Sequence, residues 1–448
     1  MAARPSPPSC PIESNREESS ESTHKEMNVL IVHQNFPGQY LQLARHLGAQ
    51  GKHQVVFITQ RQDGSLPGVT KAVYKPRRGI SAQTHHYLRD AEAAVLNAQE
   101  VARVAMDLKN AGFRPDIILG HNGWGEIWYL KDIFPDVPLV GYFEFFYRMQ
   151  GADVGFDPND PVTPDTAPRL RTKNLGNLLA LDTCDFGQTP TDWQKSVYPP
   201  RYHRNMHVIH EGIDTRLAVP DPQARVKITN DGPEIAAGDE IVTYVSRSLE
   251  PYRGFRTFMR SLPAILGARP NARVLIVGAD GVSYGAPAAG PLGYREQMLE
   301  ELGDSLDLSR VHFLGKVSYE AFLRLLQVSR VHVYLTYPFV LSWSMLEAMS
   351  AGCLVVGSST QPVQEVIQHG GNGLLVDFFS PTEVAQHVIE ALEDRRAHDS
   401  IRQNARQSII EQYDLHSVCL PAHLRMLSTI SGVRDVTLPN SRAVSQAS

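Results

Sequence analysis

Short apolar runs and amphipathic stretches alternate along nearly the whole chain. Asn28-Val-Leu-Ile-Val32 is short and evenly apolar, which suits a strand buried on both faces. Leu41, Leu43, Ala44 and Leu47 then fall on one side of a helix, and Val55-Val-Phe-Ile58 gives a second strand. Ile117-Ile-Leu119, Leu139-Val-Gly-Tyr142 and Met206-His-Val-Ile209 continue the series. Helix signals separate them, such as the capping-box form of Thr191-Asp-Trp-Gln194. The pattern restarts with Glu240-Ile-Val-Thr-Tyr-Val245, a helix over residues 254–266 and Ala272-Arg-Val-Leu-Ile-Val277. Val311-His-Phe-Leu314, Val331-His-Val-Tyr-Leu335, Leu354-Val-Val-Gly357 and Gly373-Leu-Leu-Val376 follow. Ser380-Pro-Thr-Glu383 opens a helix with a capping serine, a proline at the first helical position and a closing glutamate. Alternation of this kind predicts parallel sheets covered on both faces by helices.

The restart divides the chain. Residues 1–26 are rich in Pro, Ser and Glu, with little to bury, and are expected to be disordered. Residues 27–216 form a first doubly wound domain and residues 239–414 a second. The polar, Pro- and Gly-containing stretch 217–238 lacks periodicity and reads as the linker. A helix over residues 415–432 and a flexible tail over 433–448 complete the chain. Two such domains would face each other across a cleft, with ligands at the carboxyl ends of the strands. A length of 448 residues agrees with two cores.

The other bulk numbers act as exclusions. A net charge of −5 argues against bulk nucleic-acid binding. Cys10, Cys184, Cys353 and Cys419 lack metal-ligand spacing and read as reduced thiols. With no apolar run of membrane length and no signal-peptide core near the start, the expected location is the cytoplasm. His85-His86 has no companion ligands, so no metal is assigned there.

The candidate chemistry lies mainly in the second half. Tyr337-Pro-Phe-Val-Leu-Ser-Trp-Ser-Met-Leu-Glu347 reads as a loop opening into a helix at Ser342, Trp343 and Ser344, with a glycine stop at Gly352. A helix mouth presents free N–H groups and the positive end of the dipole, which makes it an anion site. Glu347, one to two turns inside, can accept bonds from a sugar hydroxyl while phosphates sit at the mouth. Arg247 follows a strand and Arg253-Gly254 begins the next helix, so the two cations can grip a diphosphate from two sides. Either arginine alone would read as a solvated surface cation.

These residues resemble the motifs of family 4 glycosyltransferases. Ser246-Arg247…Arg253-Gly254 is similar to a Gly-Arg…Lys-Gly motif, and Gly278 ends a strand as the Val-Gly-x-Gly loop does. Leu346-Glu347-Ala-Met-Ser-Ala-Gly352-Cys-Leu-Val-Val-Gly357 and Gly371-Asn-Gly-Leu-Leu-Val376 complete the likeness over most of residues 240–395. Phe36-Pro-Gly38, Pro115-Asp-Ile-Ile-Leu-Gly-His121 and Ile209-His-Glu-Gly212-Ile-Asp214 sit where the family has matching turns. The resemblance implies the GT-B fold, two facing Rossmann-like domains with a terminal helix crossing back to the first. It also implies retaining transfer from a nucleoside-diphosphate sugar to a hydroxyl acceptor, with no cofactor. One departure stands out. The family's first glutamate, eight positions before Glu347, falls here on Phe339, or on Tyr337 in a shifted alignment. A sugar-nucleotide epimerase of the same fold and a degenerate donor-binding protein are the alternatives.

In the first domain, Gly38, His121 and Glu144 are singled out. Gly38 follows the first strand, where a side chain would block donor or acceptor, although a tight turn explains it equally well. His121 ends a strand in Gly-His-Asn-Gly-Trp124-Gly125, and related enzymes place a sugar-contacting histidine here. Glu144 could orient an acceptor hydroxyl, but pairing with Arg148 is the simpler expectation. Lys71, Lys75, Arg77 and Arg78 are read as a solvated basic loop, with weak contact to a phosphorylated acceptor or anionic membrane as the alternative. The irregular stretch 150–171 is longer than a connection needs and reads as a lid or acceptor-binding insert.

Overall fold

The computed structural model describes residues 26–160, 162–228 and 234–433. The expected disordered start and flexible end therefore lie almost wholly outside the described residues. The first sheet contains β1 (Asn28–Val32), β2 (Gln54–Thr59), β3 (Val69–Val73), β4 (Ile117–His121), β5 (Leu139–Tyr142), β6 (Phe186–Thr189) and β7 (Met206–Val208). All are parallel, in the order β3-β2-β1-β4-β5-β6-β7. A two-stranded antiparallel ribbon follows, β8 (Arg225–Lys227) with β9 (Glu234–Ala236). The second sheet comprises β10 (Ile241–Ser248), β11 (Arg273–Ala279), β12 (Val311–Gly315), β13 (Val331–Tyr334), β14 (Leu354–Ser358) and β15 (Leu374–Val376). It is again parallel, in the order β12-β11-β10-β13-β14-β15. Both sheets are doubly wound, as the alternating pattern predicts.

The order reverses at the first strand of each sheet, between β1 and β4 and between β10 and β13. Loops leaving two such neighbouring strands diverge to opposite faces and open a crevice at the carboxyl ends. His33 and His121 sit at one reversal, and the arginine segment after β10 faces the loop after β13 at the other.

Several elements differ from the sequence reading. Strand β3 includes Lys71, so part of the expected basic loop is an edge strand; its half-exposed Val-Thr-Lys-Ala-Val pattern hides it. β6 was missed because Gln188 and Thr189, although buried, are polar. The supposedly irregular linker carries the β8–β9 ribbon, whose Ile235 and the adjoining Ala224 pack on Ile241, Leu275, Leu325 and Val328 of the second domain. The stretch from 150 already contains a helix, Thr166–Lys173.

At the carboxyl end, a wide turn at Leu415–Cys419 leads into the helix Leu420–Ser431. Leu420, Leu424 and Leu427 join Val29, Ile31, Leu43 and Phe57 in one core, so this helix is packed on the first domain. Both crossings between the domains are bonded together. Ile213 N donates to Tyr413 O and Leu415 N to Ile213 O, each at 2.8 Å. Thr215 Oγ1 donates to Asp414 Oδ2 at 2.5 Å.

Candidate active site

The second domain contributes a buried cation set against a helix start. Ser342 caps the helix Trp343–Ser350, its Oγ accepting from Ser344 N at 3.3 Å. Ser342 N donates to Tyr334 Oη at 2.8 Å, and Arg253 Nη1 lies 2.9 Å from the same oxygen. The guanidinium also reaches Thr336 Oγ1 at 2.7 Å and Val340 O at 3.0 Å. It is 6% exposed and lies near the rings of Tyr284 and Tyr334. No carboxylate pairs with it among the described residues, although a buried cation without a counter-charge is costly. Arg247 is exposed on β10, and its charge reaches Glu144 of the opposite domain.

Ser246, beside it, donates to Ser248 O at 2.8 Å. Gly278 lies within β11, where a Cβ would come within 3.1 Å of Ser246 O and 2.6 Å of Leu249 Cδ2. Glu347 is buried in the helix and accepts from Tyr319 Oη at 2.8 Å. Burial raises its pKa to about 7, against the opposing effect of the tyrosine bond. Trp343 reaches the first domain, its Nε1–H donating to Glu211 Oε2 at 2.9 Å.

The first domain contributes a ring of polar groups. His121 is buried, stacked against Trp124 and Tyr142 at 4.7 and 5.2 Å. Its Nδ1 accepts from Gly123 N at 3.0 Å, which assigns the proton to Nε2. Nε2 has no hydrogen-bond partner among the described residues and lies 3.7 Å from Glu144 Oε2. His33 joins this ring. Its Nδ1 accepts from Asn35 N, and its Nε2–H donates to Gln39 Oε1 at 2.6 Å. Gln39 in turn donates to Glu144 Oε1 at 3.3 Å. Burial, then the nearby His121, lowers the His33 pKa to about 3, so its ring stays neutral. For Glu144, burial acts upwards, but His121, ahead of His33 and Arg247, holds the carboxyl below its ordinary value.

Gly38 has φ +53°, and a Cβ there would lie 2.6 Å from His33 Nε2. The group approaching this glycine is thus the chain's own imidazole. Sequence reasoning passed over His33, although its position just before the Gly38 turn offered a signal.

The expected Glu144–Arg148 pair does not form. Arg148 Nη2 instead reaches Ser196 O at 3.1 Å and Tyr198 O at 3.5 Å, around the end of the helix Asp192–Val197. Carbonyls left open at a helix end favour a cation, and this frees Glu144 for the histidine side. The basic cluster is also largely answered within its own domain. Lys71 Nζ bonds the carbonyls of Gln62, Asp63 and Gly64, while Arg77 and Arg78 pair with Glu100 and Glu92.

Residues 150–160 form a strap from the first domain onto the second. Tyr252 Oη donates to Asp153 Oδ2 at 2.8 Å and Tyr337 Oη to Asp157 Oδ2 at 2.9 Å. Phe156 lies 5.0–5.2 Å from Tyr337, Phe378 and Phe379. Phe339 is buried against Phe145, Tyr252 and Tyr284. No local pattern announces these partners, because the pairs lie 99 and 180 residues apart. Among the described residues no group of three His, Cys, Asp or Glu side chains is arranged to hold a metal, and no helix is long and apolar enough to cross a membrane.

Comparison with known proteins agrees with this architecture. A family model described as "Glycosyl transferase family 4 group" matches residues 51–218, and one described as "Glycosyl transferases group 1" matches residues 227–408. An uncharacterized glycosyltransferase of Methanocaldococcus jannaschii is 28% identical over 248 residues, 54% of this chain and 56% of that protein. The N-acetyl-alpha-D-glucosaminyl L-malate synthase of Bacillus anthracis is 36% identical over 104 residues, 23% of this chain and 27% of the enzyme. The chain thus spans from about a quarter to just over half the length of these curated relatives. Among solved structures, sucrose-phosphate synthase from Thermosynechococcus elongatus superposes with a TM-score of 0.67 at 16% identity, over 91% of this chain and 100% of that one. Anabaena HepE in complex with UDP-glucose gives 0.63 at 17% identity, over 90% and 100%. These two likenesses are of fold.

The packing around Phe339 yields a direct test. Phe339→Glu removes aromatic contacts on both sides of the interface and buries a carboxylate, so it should lower unfolding free energy by about 3 kcal/mol or more. A urea midpoint equal to that of the wild type would show that the position tolerates the family's acid.

Proposed function

The chain is a member of the group 1 glycosyltransferases, and from that premise we propose that it transfers a sugar from a nucleoside-diphosphate sugar to a hydroxyl acceptor. The acceptor class is a saccharide, a lipid-linked sugar or a small metabolite, and the anomeric configuration is retained. The observation that carries this reading is Arg253, a buried guanidinium with no carboxylate partner among the described residues, beside a capped helix mouth. Such a site has positive charge to spare and suits a diphosphate.

In the proposed reaction the bond from the anomeric carbon to the diphosphate oxygen breaks, and negative charge grows on the leaving group. Arg253, Arg247 and the positive end of the dipole of the helix Trp343–Ser350 are positive groups held in place before that charge develops. Glu347 would accept from the ribose. The acceptor hydroxyl approaches on the face that the leaving group departs from, and its proton passes to a diphosphate oxygen. His121, with its free Nε2–H beside an ionised Glu144, is a donor for a sugar hydroxyl on the first-domain side. The apolar surface at Phe339 argues against an acid–base step at the sugar ring, so the epimerase reading is the weaker one.

Incubation with a panel of labelled nucleoside-diphosphate sugars and mixed hydroxyl acceptors tests the reading. Glycosylated product is expected; binding without turnover would return the protein to the donor-binding class. Arg247→Ala and Arg253→Ala should each cost about 1.5–3 kcal/mol in kcat/KM, as loss of a charge-assisted phosphate contact does. Arg253→Lys should be milder. Wild-type kinetics in both alanine variants would remove the diphosphate assignment.

Because protein cations answer the diphosphate, transfer is expected to persist in EDTA. Abolition, with rescue by manganese or magnesium, would refute metal independence.

Glu347 adds a pH dependence. Its carboxyl, raised to about 7 by burial, accepts a ribose hydroxyl best when ionised. Donor affinity should therefore strengthen as pH rises through about 7, and Glu347→Gln should flatten that profile. A profile unchanged by the substitution would take Glu347 out of the ribose site.

A further inference from the structure

Glu211 belongs to the first domain and is 5% exposed. Its two carboxylate oxygens have different partners. Oε1 accepts from the hydroxyl of Tyr142, the last residue of β5. Oε2 accepts from the indole N–H of Trp343, the first residue of the capped helix in the second domain, and also lies 3.8 Å from His210 Nε2 of its own domain. The indole is 39% exposed, so burial alone does not fix it in this orientation. The Tyr142 ring also stacks on His121 at 5.2 Å. One carboxylate thus connects the ring behind His121 to the helix mouth beside Arg253.

Its place in the chain adds weight. Two residues after Glu211, Ile213 makes the paired backbone bonds to Tyr413 and Leu415 that tie the two crossings together. Gly212 has φ +92°, and a Cβ there would meet Leu415 Cα at 2.8 Å. Glu211 therefore stands at the pivot, where a small rotation moves the helix mouth relative to His121. Oε1 is held within the first domain, and the bond that Oε2 makes across the interface is the one to Trp343, at 2.9 Å against 3.8 Å to the first domain's His210 Nε2.

We propose that Glu211 is a positioning residue that aligns the second domain's anion-binding helix against the first domain's sugar side through Trp343. The inference rests on the transferase reading for its kinetic consequence, while the hydrogen bond itself can be tested without any substrate. Misalignment leaves the helix mouth intact but displaces the leaving group relative to the acceptor. Such a defect lowers turnover more than binding.

The experiment uses the full chain, with Glu211→Ala, Glu211→Gln, Trp343→Phe and the Ala/Phe double variant. Glutamine can accept from the indole through its carbonyl and donate to the Tyr142 oxygen through its amide, so it should restore most of the loss. Glu211→Ala and Trp343→Phe should each lower kcat roughly 10- to 100-fold, the range of one charge-assisted bond. The double variant should be no worse than the poorer single one, and calorimetric affinity for UDP or GDP should stay within about 2-fold of the wild type. Additive losses, failure of glutamine to rescue, or a parallel loss of nucleotide affinity would overturn the proposal. Independently, the Trp343 indole N–H resonance, assigned by its disappearance in Trp343→Phe, should shift in Glu211→Ala. An unmoved resonance would overturn the bond even if no nucleotide sugar is turned over, whereas absent turnover with a shifted resonance would count against the transferase reading alone.

Discussion

A guanidinium removed from water needs hydrogen-bond acceptors and, at equilibrium, an opposite charge. Arg253 has the acceptors in Tyr334, Thr336 and the Val340 carbonyl, but no acid among the described residues. Much of the second domain is arranged around this imbalance. Tyr334 ends β13 and accepts from both Arg253 and Ser342 N, so one phenol sets the cation against the helix mouth. Tyr244 fixes the arginine's backbone by donating to its carbonyl at 2.8 Å. The switch point between β10 and β13 brings these loops together. A site that fixes a positive charge with neutral acceptors alone has the preorganisation that an anion requires.

The opposite domain balances its charges differently. Its side of the cleft has an ionised Glu144, neutral His33, and His121 with one ring nitrogen used and the other open. Donors and acceptors are mixed here and net charge is small, which suits hydroxyl recognition better than phosphate binding. The division of labour follows from equivalent reversal points in two sheets that share one order over six strands, the first sheet having β7 in addition. The second-domain reversal carries arginines and a serine-capped helix start, and the first-domain reversal carries imidazoles.

The sheets were legible in the sequence because a parallel strand buried on both faces leaves an unmixed apolar run, as in Val331–Tyr334 and Leu354–Ser358. Edge strand β3 and polar β6 break that rule and escaped. The helix capped at Ser342 was legible for a local reason, since its cap, first turn and glycine stop occupy about ten consecutive residues. Partners distant in sequence were not legible. Tyr319 beneath Glu347, Glu211 against Trp343, and the strap carboxylates on Tyr252 and Tyr337 follow from how the domains meet. The Glu144–Arg148 expectation failed in the same way. Proximity in sequence suggested an ion pair, but helix-end carbonyls brought near by folding took the arginine.

The region around Phe339 is an aromatic wall whose polar ends are taken up across the domain interface. Tyr252 and Tyr337 stack on each other at 4.6 Å, and both spend their hydroxyls on carboxylates of the first-domain strap. Phe339 packs edge-on against Tyr252 and Tyr284 and closes onto Phe145 across the interface. The polar ends of this wall are thus committed between domains, and the remainder is aromatic ring. A wall of that composition discriminates by shape and apolar contact more than by hydrogen bonding. It also makes the wall dependent on domain closure, because Phe145, Asp153 and Asp157 come from one domain and their partners from the other. The contacts that shape this side of the cleft are therefore the same contacts that hold the two domains together.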